Sequence, residues 1–145
     1  MAVTWADHAQ ATLRAAGHRS GSGRRAVIDV LARRGCLMTA HDILAALRAG
    51  GSGIGFATVY RALETLSDLE LVRRVDPGTG SAAYEPLLPS GEHHHHVVCD
   101  QCGDVAAFSD EGLERAIRDL SRRLGREIEA HEVVLRGSCA ACRPG

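Results

Sequence analysis

Two Cys-x-x-Cys pairs are the residues in this sequence best suited to metal chemistry. They are Cys99 with Cys102 and Cys139 with Cys142, separated by 36 residues. Thiolate is a preferred Zn²⁺ ligand, and this spacing is typical of a Cys₄ structural zinc site. Two disulfides are the alternative interpretation. Because the chain has five cysteines, which leaves one unpaired, and shows no secretory signal, we expect a reducing compartment, the cytoplasm.

A run of four histidines, residues 93–96, directly precedes the first pair. It lies inside the chain, which is not the usual position of a purification tag. Side chains alternate between the two faces of an extended strand. We therefore expect His94 and His96 to point one way and His93 and His95 the other. One strand would then supply imidazole ligands to two metal sites.

The first half of the chain has the pattern of a winged helix-turn-helix. Apolar spacing and capping residues predict four helices, at residues 4–16, 24–34, 39–49 and 57–69. Two short strands, at 71–75 and 81–85, flank a Pro- and Gly-containing turn. The fourth helix is then the recognition helix, with its N-terminal residues in a DNA major groove. Tyr60 and Arg61 are its expected DNA contacts, and a solvated helix face is the alternative.

The second half of the chain predicts a small α+β unit. Its elements are strands at 93–98, 105–108 and 127–136 and a helix at 110–124. So few residues build only a small core, which is where a structural zinc contributes most. Exposed apolar surface and sheet edges also favour a homodimer. The predicted fold class is α+β, with a winged-helix DNA-binding domain (1–86), a hinge (87–92) and a metal-binding dimerisation domain (93–145).

Composition agrees with two unlike halves. Apolar residues make up 45% of the 145 residues, and the net charge is -1. Residues 1–88 carry ten arginines against eight acidic residues, and the remainder carries seven against ten. The basic half suits nucleic acid. No apolar run is long enough to span a bilayer, so we expect no membrane partner. We also expect no small organic substrate.

The sequence resembles the ferric uptake regulator superfamily of dimeric, metal-responsive DNA-binding repressors from about residue 17 to residue 142. The resemblance is carried by the stretch Ile54-Gly-Phe-Ala-Thr-Val-Tyr-Arg-Ala-Leu63, by Tyr84-Glu85, by the histidine run with Cys99 and Cys102, and by the closing Cys-x-x-Cys. Within the superfamily, it is most similar to zinc uptake regulators. The resemblance implies a homodimer that binds a double-stranded, palindromic DNA operator.

Position by position, the resemblance also implies three sets of metal ligands and a set of DNA contacts. The structural zinc set is Cys99, Cys102, Cys139 and Cys142. The regulatory set at the hinge, for Zn²⁺ or Fe²⁺, is Glu85, His94 and His96. The dimerisation-domain set is His93, His95, Glu114 and His131. The DNA-contacting set is Arg24, Thr58, Tyr60 and Arg61.

Three departures from the family pattern concern the regulatory set. Leu37 stands where iron and peroxide sensors usually have a histidine, and Leu87 stands where many zinc sensors have a cysteine. Arg73 stands where one branch of zinc sensors has an acidic residue. A fourth hinge ligand could come from a set of candidates or from water; the candidates are Asp76, Cys36 and His41.

The function expected from the sequence is metal-dependent transcriptional repression, with zinc favoured and iron second. Manganese, nickel and peroxide sensing stay open, because ligand sets discriminate weakly among divalent metals. A zinc hydrolase is a distant alternative, since the sequence has no H-E-x-x-H motif and no nucleophile elbow. A structural zinc module that binds a protein partner is the other. We therefore do not expect an enzyme.

Overall fold

The structure is a computed structural model that describes residues 3–19, 21–91 and 93–144. The chain divides into two compact units, Met1–Glu92 and His93–Gly145. The predicted hinge ends at Glu92, which lies outside the described residues. Within the first unit, the Leu87 N–H donates to the Leu71 carbonyl at 2.9 Å, which ties the start of the predicted hinge to the residue before the first wing strand.

The first unit contains four helices and three short strands. They are α1 (Trp5–Ala15), α2 (Ser22–Arg34), β1 (Met38–Thr39), α3 (Ala40–Ala49), α4 (Phe56–Asp68), β2 (Val72–Val75) and β3 (Ala83–Pro86). The second unit has three strands and one helix. They are β4 (His95–Cys99), β5 (Val105–Phe108), α5 (Glu111–Leu124) and β6 (Val134–Gly137). The α+β class and the winged-helix layout are confirmed.

Capping boxes define two helix starts. The Thr4 hydroxyl accepts from the Asp7 N–H at 3.1 Å, and Thr39 accepts from Asp42 at 3.0 Å. Each aspartate in turn accepts from the N–H of its threonine. Reciprocal bonds of this kind satisfy N–H groups that the helix cannot pair itself. The capping residues therefore fix where α1 and α3 begin.

The core of the first unit is formed by the inner faces of its helices, which is what their apolar spacing predicts. Ile28 of α2, Ile43 of α3 and Leu66 of α4 are fully buried there. Trp5, the single tryptophan, closes the core from α1, and its Nε1–H donates to the Leu71 carbonyl at 2.9 Å. The first helix is thereby tied to the residue that precedes the wing.

The wing is the antiparallel pair β2–β3, to which β1 adds a third strand in the order β1-β3-β2. The two-residue β1 was not predicted, because Met38 and Thr39 are too few to show strand periodicity. Its pairing places Met38 opposite Tyr84. In the wing itself, Arg73 lies directly opposite Glu85.

The second unit has the sheet order β5-β4-β6, with β4–β5 antiparallel and β4–β6 parallel. The predicted strand at 127–136 was wrong over 127–133: only Val134–Gly137 pairs with β4, and Ile128 and Val133 precede the strand. Apolar alternation cannot reveal this, because pairing depends on the neighbouring strand's length, and β4 has five residues. None of the described helices is both long and apolar enough to cross a membrane.

Candidate metal centres and DNA-binding surface

Two backbone turns bring the four cysteines of the Cys-x-x-Cys pairs together. The first turn follows β4 and closes with a hydrogen bond from Gly103 N–H to the Cys99 carbonyl at 2.9 Å; Gly103 has φ 77°, which a residue with a side chain rarely adopts. In the second turn, Cys142 N–H donates to the Cys139 carbonyl at 3.1 Å. The parallel pairing of β4 with β6 places the two turns side by side.

The geometry of this cysteine group fits a tetrahedral zinc ion. The Sγ atoms of Cys99, Cys102, Cys139 and Cys142 all lie within 4.8 Å of one another. Zn–S bonds of ~2.3 Å separate the sulfurs of a tetrahedral site by ~3.8 Å. The Cys102 and Cys139 sulfurs are 3.8 Å apart, and all four are free thiols rather than disulfides.

Hydrogen bonds give the thiols of this group different pKa values. Backbone N–H groups, first that of Cys102 and then those of Cys139 and Gln101, lower the pKa of Cys99 to about 6. Hydrogen bonds with the Cys139 and Cys102 side chains, together with burial, raise the pKa of Cys142 to about 12. At neutral pH, Cys99 therefore supplies a thiolate, whereas Cys142 must lose a proton when a metal binds.

The four histidines alternate between two faces, as the strand argument predicts. The rings of His93 and His95 are 5.0 Å apart, and those of His94 and His96 are 4.9 Å apart. β4 begins only at His95, two residues later than predicted, yet the alternation extends to His93. His95 and His96 are both buried.

A second group of candidate ligands forms around Glu114 of α5. His95 Nε2 lies 2.5 Å from its Oε1, and His131 Nε2 lies 2.7 Å from its Oε2. His93 completes the group, with Nε2 3.2 Å from His131 Nε2. The hydrogen bond with His95 is the main reason that the pKa of Glu114 lies below its usual range. An ionised carboxylate between imidazoles fits a divalent cation.

The regulatory set predicted at the hinge is divided between the two units. His94 and His96 lie together in the second unit. Glu85 belongs to β3 of the first unit, where it is 3% exposed and accepts hydrogen bonds from Arg73 Nε at 3.0 Å and Nη2 at 2.5 Å. The prediction that Glu85 joins the two histidines as a metal ligand stays a prediction.

Two of the three candidates for a fourth hinge ligand are engaged elsewhere in their own unit. The Asp76 carboxylate accepts from the Gly78 N–H at 2.8 Å and so stabilises the wing turn. The His41 ring stacks on Phe56, with ring centroids 4.9 Å apart. Cys36 is a half-buried free thiol, rather than the fully buried small residue that its type indicates.

The predicted DNA contacts lie on or near the recognition helix α4. Tyr60 is 43% exposed and Arg61 is exposed, whereas Thr58 is half-buried. The Arg24 guanidinium of α2 donates to the Arg19 carbonyl at 3.1 Å, which holds it at the start of that helix. Whether these four residues bind DNA stays a prediction.

Two features of this surface were missed in the sequence. Phe56, 38% exposed, joins His41 and Tyr60 in a row of stacked rings. Gly23 of α2 allows a close approach to α4, since a Cβ there would lie 2.7 Å from Thr58 Cγ2. An exposed aromatic residue at the start of a recognition helix was the available signal for Phe56. Nothing in the sequence indicates the Gly23 contact.

A winged-helix unit together with a unit that clusters candidate metal ligands is the arrangement of a metal-responsive transcription regulator. The chain matches the sequence model of the ferric uptake regulator family over residues 15–136 and belongs to that family. Members of the family are dimeric DNA-binding regulators rather than enzymes.

Individual relatives agree in sequence and fold. A ferric uptake regulation protein of Bordetella parapertussis is 33% identical over 137 residues, which cover 94% of this chain and 97% of that protein. The structure of the Vibrio cholerae ferric uptake regulator has a TM-score of 0.81 at 30% identity and covers 92% of this chain and 100% of that chain. The Francisella tularensis regulator, solved with iron, has a TM-score of 0.76 at 26% identity, covering 88% and 96%.

Proposed function

We propose that this protein is a zinc-responsive repressor that binds a palindromic DNA operator as a homodimer. The observation that carries the proposal is the division of one histidine run between two faces of β4, with a separate cysteine group at the end of the same strand. A single strand thus offers ligands to a structural site and to two further sites. Separate sites would let one metal stabilise the fold while another binds and leaves as its concentration changes.

The structural site would be the cysteine group. Its four sulfurs match the spacing of a closed tetrahedral site, with no position left for water or substrate. A closed thiolate site suits a stabilising role, because it exchanges its metal slowly and offers no open coordination position. The zinc hydrolase alternative would therefore need the histidine and glutamate residues rather than the cysteine group.

The regulatory site would be formed by Glu85, His94 and His96, with His93, His95, Glu114 and His131 as the further site. A metal held by residues of both units would link the DNA-binding unit to the dimerisation unit. A ligand that binds one arrangement more tightly than another shifts the population toward it. In a dimer, this would set the spacing of the two recognition helices to match operator half-sites.

The dimer surface would include α5. No side chain of this helix is buried within the chain, although its apolar residues share one face. Leu120 is 39% exposed and Leu124 is 59% exposed, and Leu135 of β6 is 51% exposed. Exposed apolar surface of this kind supports a second copy of the chain as the partner.

Zinc is favoured over iron because imidazole and thiolate donors dominate the candidate sites and because Leu37 replaces the histidine common in iron and peroxide sensors. Iron is the second candidate, because the Bordetella relative is named a ferric uptake regulation protein and the Francisella structure contains iron. Because divalent metals differ little in ligand preference, the choice between zinc and iron is made by the binding experiment below.

The test is operator binding as a function of metal. Gel shifts on a genomic palindrome would compare chelated protein, with its structural zinc retained, after addition of Zn²⁺, Fe²⁺ under anaerobic conditions, or Mn²⁺. We expect Zn²⁺ to restore binding, His96→Ala to abolish the response, and His8→Ala, a histidine of α1 outside both ligand groups, to retain it. Restoration by Fe²⁺ alone would replace zinc by iron, and metal-independent binding would contradict the proposal.

A second test addresses the DNA surface. Arg61→Ala should weaken operator binding and reduce its dependence on salt, because each lost phosphate contact lowers the number of counterions released. Arg14→Ala removes an exposed arginine from α1, outside the recognition helix, and is the matched control. Equal effects of the two substitutions would mean that net charge, rather than α4, governs binding.

A further inference from the structure

The ion pair between Arg73 and Glu85 is the buried charge pair of the wing. Two guanidinium N–H groups of Arg73 donate to the same oxygen, Oε1 of Glu85, at 3.0 and 2.5 Å. Arg73 is 19% exposed and Glu85 is 3% exposed. A carboxylate with so little access to water needs a cation close by, and in this unit Arg73 supplies it.

Strand register places the two side chains together. Arg73 and Glu85 are directly opposite in the antiparallel pair β2–β3, and opposed residues project from the same face of a sheet. The next residue along β2, Arg74, points to the other face and is exposed. The pair is therefore built into the wing rather than assembled by long, mobile side chains at its surface.

We propose that Arg73 competes with the regulatory metal for Glu85 and so raises the metal concentration at which the protein responds. This inference rests on the proposed function, in which Glu85 is a regulatory ligand. Lone pairs of Oε1 that accept from two N–H groups are not open to a metal. Binding at Oε1 must break both hydrogen bonds, and binding at Oε2 places the metal beside a guanidinium that stays charged at physiological pH.

The experiment measures metal affinity directly in the full-length protein with its structural zinc retained. Zn²⁺ is titrated in competition with a chromophoric chelator for the wild type, Arg73→Gln, Glu85→Gln and the double variant. Arg73→Gln removes the charge at similar side-chain size. We expect it to tighten Zn²⁺ binding by about tenfold or more, where tenfold corresponds to ~1.4 kcal/mol. Arg74→Gln, its neighbour on the opposite face, should leave the affinity unchanged.

The double variant separates competition from an indirect effect of the substitution. If Arg73 acts through Glu85, the tenfold gain should vanish in the Glu85→Gln background. Trp5 fluorescence during thermal unfolding reports whether each metal-free variant is folded. Should Arg73→Gln prove too unstable to titrate, Arg73→Lys keeps the charge but loses the two-pronged contact, and we expect an intermediate gain.

Three results would overturn the inference: an unchanged or weaker affinity of Arg73→Gln, an equal gain with Glu85→Gln present, or no effect of Glu85→Gln on Zn²⁺ affinity. The first two results leave the proposed function standing, and the third removes Glu85 from the proposed regulatory site. Metal-dependent DNA binding itself is tested without Arg73, by His96→Ala and the gel shifts. Metal-independent operator binding by the wild type would instead refute the proposed function. The two failures are therefore distinguishable.

Discussion

Cys102→Ser should unfold the second unit and leave the first unit folded. In the described part of residues 93–144, only four side chains are buried, and Val98 is the single aliphatic one. Burying one valine contributes ~1.5–3 kcal/mol. Structural zinc contributes ~10–16 kcal/mol in small domains, so even half of that value, ~5–8 kcal/mol, exceeds the contribution of Val98. Within one copy of the chain, metal binding is therefore expected to dominate the stability of this unit.

Cys102 is the suitable position because it is exposed, so that serine there removes a ligand without creating a cavity. Amide hydrogen exchange would follow β4, while Trp5 fluorescence would follow the first unit. We expect β4 to lose protection, zinc content to fall, and the thermal transition of Trp5 to persist. Cys36→Ser is the matched control: it removes a thiol outside the cysteine group and should change neither the chelator-resistant zinc content nor β4 protection.

The reasoning fails if β4 keeps its protection in zinc-free Cys102→Ser, because apolar packing would then suffice to hold the sheet. It also fails if the Trp5 transition disappears together with β4 protection. The first unit has its own core, in which Ile28, Ile43 and Leu66 are completely buried, and that core contains no residue of the cysteine group.

Three further substitutions test the first unit through Trp5 fluorescence. Thr39→Ala removes the cap of α3 and should cost ~1 kcal/mol of unfolding free energy in denaturant titrations, whereas an unchanged midpoint would mean that the cap is dispensable. Gly23→Ala should lower both stability and operator affinity, because the new Cβ collides with Thr58 of α4; a neutral result would show that α2 moves freely. The hydrogen bond with the Thr4 side chain lowers the pKa of Asp7. The unfolding free energy lost in Asp7→Asn should therefore be largest above the usual carboxylate pKa and should vanish as the pH falls through the lowered pKa. A difference that persists in acid would rule out this linkage.

Residue pattern predicted most of the fold because the decisive signals are local. A capping threonine followed three residues later by aspartate, and apolar residues on one helical face, act within a few residues of sequence. The strand predicted at 127–136 failed because strand length is set by pairing with β4, which is distant in sequence. The two-residue β1 was missed for the same reason, since only its pairing with the strand that contains Tyr84 makes it a strand.

The candidate ligands were equally predictable, because a metal needs particular donor atoms and the two-residue repeat of a strand sorts them onto faces. The hydrogen bonds that each candidate ligand makes with the rest of the chain were not predictable. Glu85 is a predicted metal ligand in the sequence pattern. In the wing it accepts hydrogen bonds from Arg73, and only the β2–β3 register shows that these two residues lie together. Motifs identify the atoms that can bind a metal, whereas strand pairing determines which charged side chains those atoms contact. Metal thresholds in such proteins therefore depend on residues outside the ligand motif, and Arg73 is where this chain would set its own.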